Sequence, residues 1–431
     1  MISKNPKIAI IGLGYVGLPL AVALARHFPV TGFDIDENRI SQLNSGFDRT
    51  REIEESILKT TTFSLSSNPS VLIDQDVYIV TVPTPVTHEK LPDLTPLQKA
   101  TEIIGKYLSK NAIVVFESTV YPGVTEHFCG PVLEKISGLK AGQDFHLGYS
   151  PERINPGDKL HTIDHITKVV AGDTPAVADI LKNIYGSINN GNIFVARNIK
   201  TAEAAKVIEN AQRDINIAFI NEIATIVGKL GLSVYDVLDA ANTKWNFLNF
   251  QPGLVGGHCI GVDPYYLAYC ARELDHEPEV ILAGRRINEN MGNFIANSIH
   301  DKLQLLYASK RNTKFRILVL GITFKENIPD LRNTKVVDVI ENLKSLGHIV
   351  DVHDPFADPK EAKIHLKLDL LKNLHDTGSY DCIIGAVSHE PYLQLTSLNF
   401  QNLLNNSGLI ADVKNMWDQT KLPEGVTYWT L

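Results

Sequence analysis

The sequence predicts an α/β fold: two doubly wound units joined by a helical centre that contains one long helix. Three observations predict it. Short β-branched apolar runs, bounded by turn residues, recur towards both ends of the chain and mark buried strands. The first of these runs enters a glycine-rich turn followed by a helix-like stretch. Between the two groups of strands the apolar period becomes helical from Thr201 to about Leu230. The 431 residues exceed one compact domain and suffice for two or three, with boundaries expected at 1–198, 199–309 and 310–431.

Composition narrows the class. Hydrophobic residues make up 44% and charged residues 21%, ordinary values for a globular protein. A formal net charge of −8 gives no general affinity for nucleic acid. The start, Met1 to Pro6, runs directly into a strand and does not read as a signal peptide. No apolar run reaches the roughly 18 residues of a membrane span. Four cysteines (Cys129, Cys259, Cys270, Cys382) share no metal-ligand spacing, so no metal site is expected. They suit free thiols in a reducing cytoplasm.

In the first unit, Lys7–Ile11 reads as a strand that enters Gly12-Leu13-Gly14-Tyr15-Val16-Gly17. Leu20, Ala21 and Leu24 share one side of the helix that follows, and Val30–Phe33 forms the next strand, closed by Asp34. This strand, turn, helix and strand order is the context a dinucleotide-binding, Rossmann-like fingerprint requires. The glycines permit a tight turn and let the pyrophosphate approach the helix N-terminus. An acid at Asp34 accepts the ribose hydroxyls and repels a 2′-phosphate, which favours NAD over NADP. The alternative is a glycine turn that serves only helix–sheet packing.

Further strands are expected at Asp76–Val82, ending in Pro83-Thr84-Pro85, and at Ala112–Phe116, ending in Glu117–Gly123. Thr119 at that edge either holds a water or the nicotinamide amide, or caps a helix. Another strand, His146–Ser150, leads into Pro151-Glu152-Arg153, where Glu152 is either a buried base or a solvated acid. In the long helix, Thr201 suits the N-cap and Glu203 the first turn. Ala204, Ile208, Ala211, Ile215, Phe219 and Ile223 recur at helical spacing. Lys206 and Asn210 stand one turn apart on one face, either as a solvated stripe or as a site in which a lysine and an amide together suit an oxyanion. The length and apolar content of this helix suggest a dimer interface.

Ser233 begins another helix, followed by the aromatic segment Trp245–Phe250 and then by Gly256-Gly257-His258-Cys259-Ile260-Gly261-Val262-Asp263. A thiol in a glycine-rich turn, with an acid four residues on, is a candidate nucleophile with a proton carrier; the alternative is a small buried hydrophobe. Basic Arg285-Arg286 lie among the later helices. Lys310–Lys314 reads as a linker into a second α/β pattern, with strands at Arg316–Leu320, Ile349–Val352, Asp381–Ala386 and Leu409–Asp412. A helix at Val336–Leu346 is expected to stop at Gly347. Lys325 and Arg332 follow the first of these strands, where a phosphate suits them.

Together these residues resemble the UDP-glucose/GDP-mannose dehydrogenase family over nearly the whole chain. The resemblance rests on GLGYVG at 12–17, TVPTP at 81–85, ESTVYPG at 117–123, YSPERINPG at 149–157, GGHCIGVDPYY at 256–266 and GITFKENIPDLRNT at 321–334, with the Lys206–Asn210 helix between them. It implies oxidation of the C6 alcohol of a nucleotide sugar to a carboxylate with two NAD+. By resemblance Cys259 captures the aldehyde as a thiohemiacetal, and water hydrolyses the thioester that follows. Lys206 and Asn210 stabilise the oxyanion, Asp263 and Thr119 handle a water, and Glu152 serves hydrolysis. Asp34, Arg39, Thr84, Thr119 and Arg332 contact NAD, with the loop at Gly12, Gly14, Tyr15, Val16 and Gly17. Lys325, Phe247, Gly256, Glu152, Arg153, Lys206 and Asn210 hold the UDP-sugar.

Two positions depart from the UDP-glucose branch. Pro156 replaces a second glutamate, and Val262 replaces a lysine before the aspartate. The wording PERINPG and HCIGVDPYYL is instead similar to the UDP-N-acetylhexosamine 6-dehydrogenases of capsule, Vi-type and O-antigen synthesis. UDP-GlcNAc is therefore the favoured substrate, with UDP-GalNAc and UDP-glucose as alternatives. Two rival classes remain: a two-electron hydroxy-acid dehydrogenase in which Cys259 is idle, and a non-catalytic nucleotide-binding subunit. A homodimer, without nucleic-acid or membrane partners, is expected.

Overall fold

The computed structural model describes residues 3, 5–153, 162–257, 260–308, 314–374 and 378–431. The chain divides into two compact units, residues 1–209 with 265–277, and residues 210–264 with 278–431. The α/β class expected from the sequence holds in both.

The first unit is built on a sheet of β1 (Ile8–Ile11), β2 (Val30–Phe33), β3 (Ser64–Ser66), β4 (Val77–Val80), β5 (Ile113–Phe116), β6 (His146–Tyr149), β7 (Lys168–Gly172) and β8 (Ile193–Val195). Among the described residues its order is β3-β2-β1-β4-β5-β6-β7-β8. Strands β1 to β6 are parallel, with Ile8 level with both Val30 and Val77. The central strands read as unbroken apolar runs because helices cover both faces. Successive residues alternate between the two cores: Ile8, Ile10, Val77, Ile79, Ile113 and Val115 enter one. Ala9, Ile11, Tyr78, Val80, Val114 and Phe116 enter the other. The strand order reverses between β1 and β4, so a crevice opens at their carboxyl ends, where ligands of such sheets bind.

Strands β3, β7 and β8 were not expected from the sequence. Strand β7 runs antiparallel to β6, with Gly148 opposite Gly172 and Tyr149 opposite Ala171. Its first residue, Lys168, therefore stands at the carboxyl edge of the parallel strands. That reversal brings a lysine to the edge where the candidate catalytic groups gather.

The second unit carries a parallel sheet of β9 (Arg316–Leu320), β10 (Ile349–His353), β11 (Tyr380–Gly385), β12 (Leu404–Asp412) and β13 (Thr427–Thr430). Its order is β10-β9-β11-β12-β13, with the reversal between β9 and β11. The 28-residue helix Glu279–Leu306 packs on the helix Val336–Ser345. A methyl group at Gly292 would lie 2.7 Å from Asp338 Cβ, so only glycine permits that approach. Arg285 is buried against Asp214 at 2.6 Å, which makes it part of the helical core.

The long helix, Ile199–Lys229, starts earlier than its cap residues suggested. Asn198 Oδ1, rather than Thr201, sits at its start and accepts the backbone N–H and the hydroxyl of Thr201. Glu203, expected as a first-turn acid, is buried and accepts the N–H of Gly123 at 2.5 Å and of Thr125 at 2.9 Å. Burial pushes its carboxyl up to about 7, against those two donations. The apolar seam also divides. Ala211 is buried, whereas Ile208 and Phe219 are exposed. The expected linker at Lys310–Lys314 lies outside the described residues except for Lys314.

Candidate functional site

The glycine fingerprint assigns a different task to each glycine. Gly12 takes φ 95°, the left-handed region that favours glycine. At Gly17 a Cβ would stand 1.8 Å from the Gly12 carbonyl oxygen and 2.4 Å from Thr81 Oγ1, so the helix can reach the strand only without one. Gly14 is exposed, and no atom lies within 4 Å of where its Cβ would be, which leaves a ligand room to approach. Tyr15 and Val16 complete the turn, both half-buried. Asp34, at the end of β2, accepts the N–H of Leu13 at 2.8 Å and of Asp36 at 2.9 Å, which ties the loop to that strand. Arg39, expected at the cofactor, is buried with its guanidinium on Asp48 at 2.8 Å and on the Leu13 carbonyl at 2.8 Å. It braces the loop from within. An open glycine turn at a helix start, with an acid at the end of the adjoining strand, fits the pyrophosphate and ribose of NAD.

Polar groups converge where β4, β5 and β6 end. Thr84 donates its hydroxyl to the Thr119 carbonyl at 2.7 Å, which joins two of the expected cofactor contacts. Thr119 caps no helix, since the next helical turn is capped at Val124. Glu152 is not a solvated acid. Its Oε2 lies 3.0 Å from Lys168 Nζ, and Oε1 accepts the Arg153 N–H at 2.6 Å. Arg153, expected at the substrate, pairs with Glu209 at 2.8 Å and donates to the Thr167 carbonyl at 3.0 Å. Tyr266, from the end of the cysteine motif, donates to the Pro85 carbonyl at 2.9 Å and is fully buried.

Cys259, the expected nucleophile, lies outside the described residues, as do His258 and the segment Ile154–Gly157 with Pro156. The flanks of the cysteine loop are described. Gly257 takes φ 82° and donates its N–H to the Asn333 carbonyl at 3.3 Å. A Cβ at Gly256 would stand 2.5 Å from that same oxygen. Asn221 of the long helix exchanges two hydrogen bonds with Gly253, at 3.0 and 2.8 Å. On the far side Asp263 is buried and accepts from Asn210 Nδ2 at 2.5 Å. Lys206, one turn before Asn210, is also nearly buried. Phe247, expected at the substrate, packs half-buried on the second unit's core.

In the second unit a pocket sits at the carboxyl ends of β9, β11 and β12, beside the reversal of strand order. Gly256, Lys325, Lys335 and Lys414 line it. Three cations around a glycine turn suit a diphosphate. Arg332 is half-exposed and held on Asp330 at 2.8 Å. The loop bearing Lys325 is fixed by His389, fully buried between Asp354 at 3.0 Å and the Asn327 N–H at 2.9 Å.

Sequence reasoning missed Lys168, Lys335, Lys414, Asn221 and the burial of Glu117 and Glu203. Lys168 and Lys414 each adjoin a β-branched apolar run at a strand end, the single signal that marked them.

Comparison with known proteins identifies the family. Residues 6–189 match the UDP-glucose/GDP-mannose dehydrogenase family NAD binding domain, 200–290 its central domain and 318–419 its UDP binding domain. The chain is 50% identical to the protein CapL of Staphylococcus aureus, over 99% of this chain and 100% of that one. It is 48% identical to a UDP-N-acetyl-D-glucosamine 6-dehydrogenase of Pseudomonas aeruginosa, over 97% and 99%. The fold superimposes on a UDP-D-ManNAc dehydrogenase structure from Pyrococcus horikoshii with TM-score 0.88 and 29% identity, covering 98% of both chains. The chain is thus an enzyme of the UDP-glucose/GDP-mannose dehydrogenase family, with NAD as its cofactor.

Proposed function

We propose that the enzyme oxidises the C6 alcohol of UDP-N-acetyl-D-glucosamine to the carboxylate, for surface polysaccharide synthesis. The observation that carries this reading is the 48% identity, over nearly the full length, to the Pseudomonas aeruginosa enzyme of that name. The domain organisation follows: 1–198 for NAD, 199–309 for dimerisation and 310–431 for the UDP moiety.

Bound NAD supplies the acceptor for each hydride. Asp34 and the backbone of Gly12–Gly17 hold its ribose and pyrophosphate, with Thr84, Thr119 and Arg332 at the remaining contacts and Arg39 bracing the loop. Lys325, with Lys335 and Lys414, holds the diphosphate of the sugar nucleotide, with Phe247 and Gly256 of the same unit; Arg153 of the first unit is a further substrate contact. After the first oxidation the Cys259 thiolate adds to the C6 aldehyde, forming a C–S bond. The thiohemiacetal then loses a second hydride to become a thioester. Water attacks that carbonyl, the C–S bond breaks, and Cys259 leaves as thiolate. In sum, one alcohol, two NAD+ and one water give one carboxylate, two NADH and three protons. Lys206 and Asn210 stabilise the oxyanion at each tetrahedral stage; one Asn210 N–H is directed to Asp263 and the other serves the substrate. Asp263 and Thr119 orient the water, and Glu152 takes its proton.

Two further features support the setting. Phe219 and Ile226 are exposed at i and i+7 of the long helix, with exposed Leu230 just past its end, a stripe that a second copy of the chain would cover. Among the described residues no helix is long and apolar enough to cross a membrane, and the free thiols of Cys129, Cys270 and Cys382 suit the reducing cytoplasm.

The test is a substrate panel of UDP-GlcNAc, UDP-GalNAc, UDP-glucose and GDP-mannose, read by NADH absorbance. UDP-GlcNAc should show the highest kcat/KM, by about tenfold or more over UDP-glucose, because a site that pairs the acetamido group leaves those partners unpaired with glucose. A higher value for any of the other three would overturn the assignment.

A further inference from the structure

Behind Glu152 lies a cluster to which nothing above assigns work. Lys168 Nζ stands 2.8 Å from Glu117 Oε2 and 3.0 Å from Glu152 Oε2. Glu117 Oε1 accepts the Tyr185 hydroxyl at 2.5 Å, and the Tyr185 ring lies 5.3 Å from the ammonium. Glu117, Lys168 and Tyr185 are each at most 2% exposed. Only Glu152 reaches towards solvent, at 12% side-chain exposure. Among the described residues, Arg153 beside it donates its backbone N–H to Glu152 and pairs its guanidinium with Glu209. Strand β7 places the lysine here by running antiparallel to β6.

A buried lysine between two carboxylates carries a real desolvation cost, and a merely structural cross-link would need only one of the acids. Burial by itself lowers the Lys168 ammonium and raises the Glu117 carboxyl. The opposite charges overcome the first effect, so that Lys168 titrates above its ordinary value, while Glu117 remains raised.

We infer that Lys168 is a positioning residue for the hydrolytic half of the reaction: it fixes Glu152 as a carboxylate, and Glu117 supplies the counter-charge that lets Glu152 accept a proton. This rests on the proposed role of Glu152. With Glu152 ionised the three groups sum to one negative charge. When Glu152 takes a proton from the water attacking the thioester, the sum becomes zero and Lys168 keeps a partner in Glu117. Without Glu117 the same protonation would strand a buried cation.

The two neighbours act on Glu152 with opposite signs, and this makes the idea testable. Lys168 lowers its pKa and Glu117 raises it. In K168M the acidic limb of the pH profile of acid formation should move up by about one to three units. The acyl-enzyme at Cys259 should then accumulate, seen by intact mass, and K168R should restore most of the rate. In E117Q the limb should move down. If K168M fails to fold, E117Q and K168R decide the matter. Limbs unmoved in folded K168M and E117Q, or moved in the same direction, would overturn the role. Failure of the underlying reading looks different: the wild type itself would give one NADH per sugar and no covalent adduct.

Discussion

Cys259→Ser is expected to lose net acid formation by on the order of 10^4-fold or more, as removal of a covalent nucleophile does in other enzymes. A serine hydroxyl is not ionised at neutral pH, so it captures an aldehyde poorly, and nothing then holds the half-oxidised sugar for the second hydride transfer. NAD affinity should stay near that of wild type. The groups that fit the cofactor, Gly12–Gly17 and Asp34, belong to the first unit and have their own supports in Arg39, Asp48 and Thr81. The check is a pair of measurements on one preparation: uronic acid formed over time, and NAD binding by calorimetry. Acid production at the wild-type rate would remove Cys259 from the chemistry.

Gly17→Ala and Gly14→Ala should separate the two uses of the glycine fingerprint. At Gly17 the new methyl would meet the Gly12 carbonyl oxygen at 1.8 Å and Thr81 Oγ1 at 2.4 Å. Neither can retreat, because Thr81 Oγ1 donates to the Gly12 and Ile11 carbonyls and so holds the strand end in place. The helix must move off the sheet, at a cost of about 3 kcal/mol or more in stability, with loss of cofactor binding. At Gly14 the methyl meets nothing, so stability should be retained while NAD affinity falls where the pyrophosphate approaches. Denaturant unfolding and NAD titration of both variants check this. Equal loss of stability in both would contradict the assignment of separate tasks.

Local signals in the sequence carried much of the first unit. The run Lys7–Ile11, the glycine turn and Asp34 are contiguous, and their chemistry needs no long-range partner to be read. The strands at 77–80, 113–116 and 146–149 fell within a residue or two of the expected runs, because a parallel strand buried on both faces is apolar throughout. What was hidden depends on neighbours distant in sequence. Lys168 becomes important only because β7 runs against β6, and strand direction is not encoded in a five-residue run. Lys335 and Lys414 meet Lys325 only once the order of β9, β11 and β12 is known.

Periodicity had a further limit. It marked Ile208 and Phe219 as apolar at helical spacing, but an apolar stripe left exposed has the same period as one that faces the core. Glu203 looked like a first-turn acid because helix starts favour such acids. Its burial follows from the loop at Gly123–Thr125, which lies far away in sequence.

The most direct test of the chemistry is the number of NADH formed per UDP-sugar consumed, measured in the same cuvette and by mass balance of the sugar nucleotide. Two NADH and one uronic acid per sugar are expected, with no free aldehyde released. One NADH per sugar, with the aldehyde as final product, would contradict capture of the intermediate on Cys259.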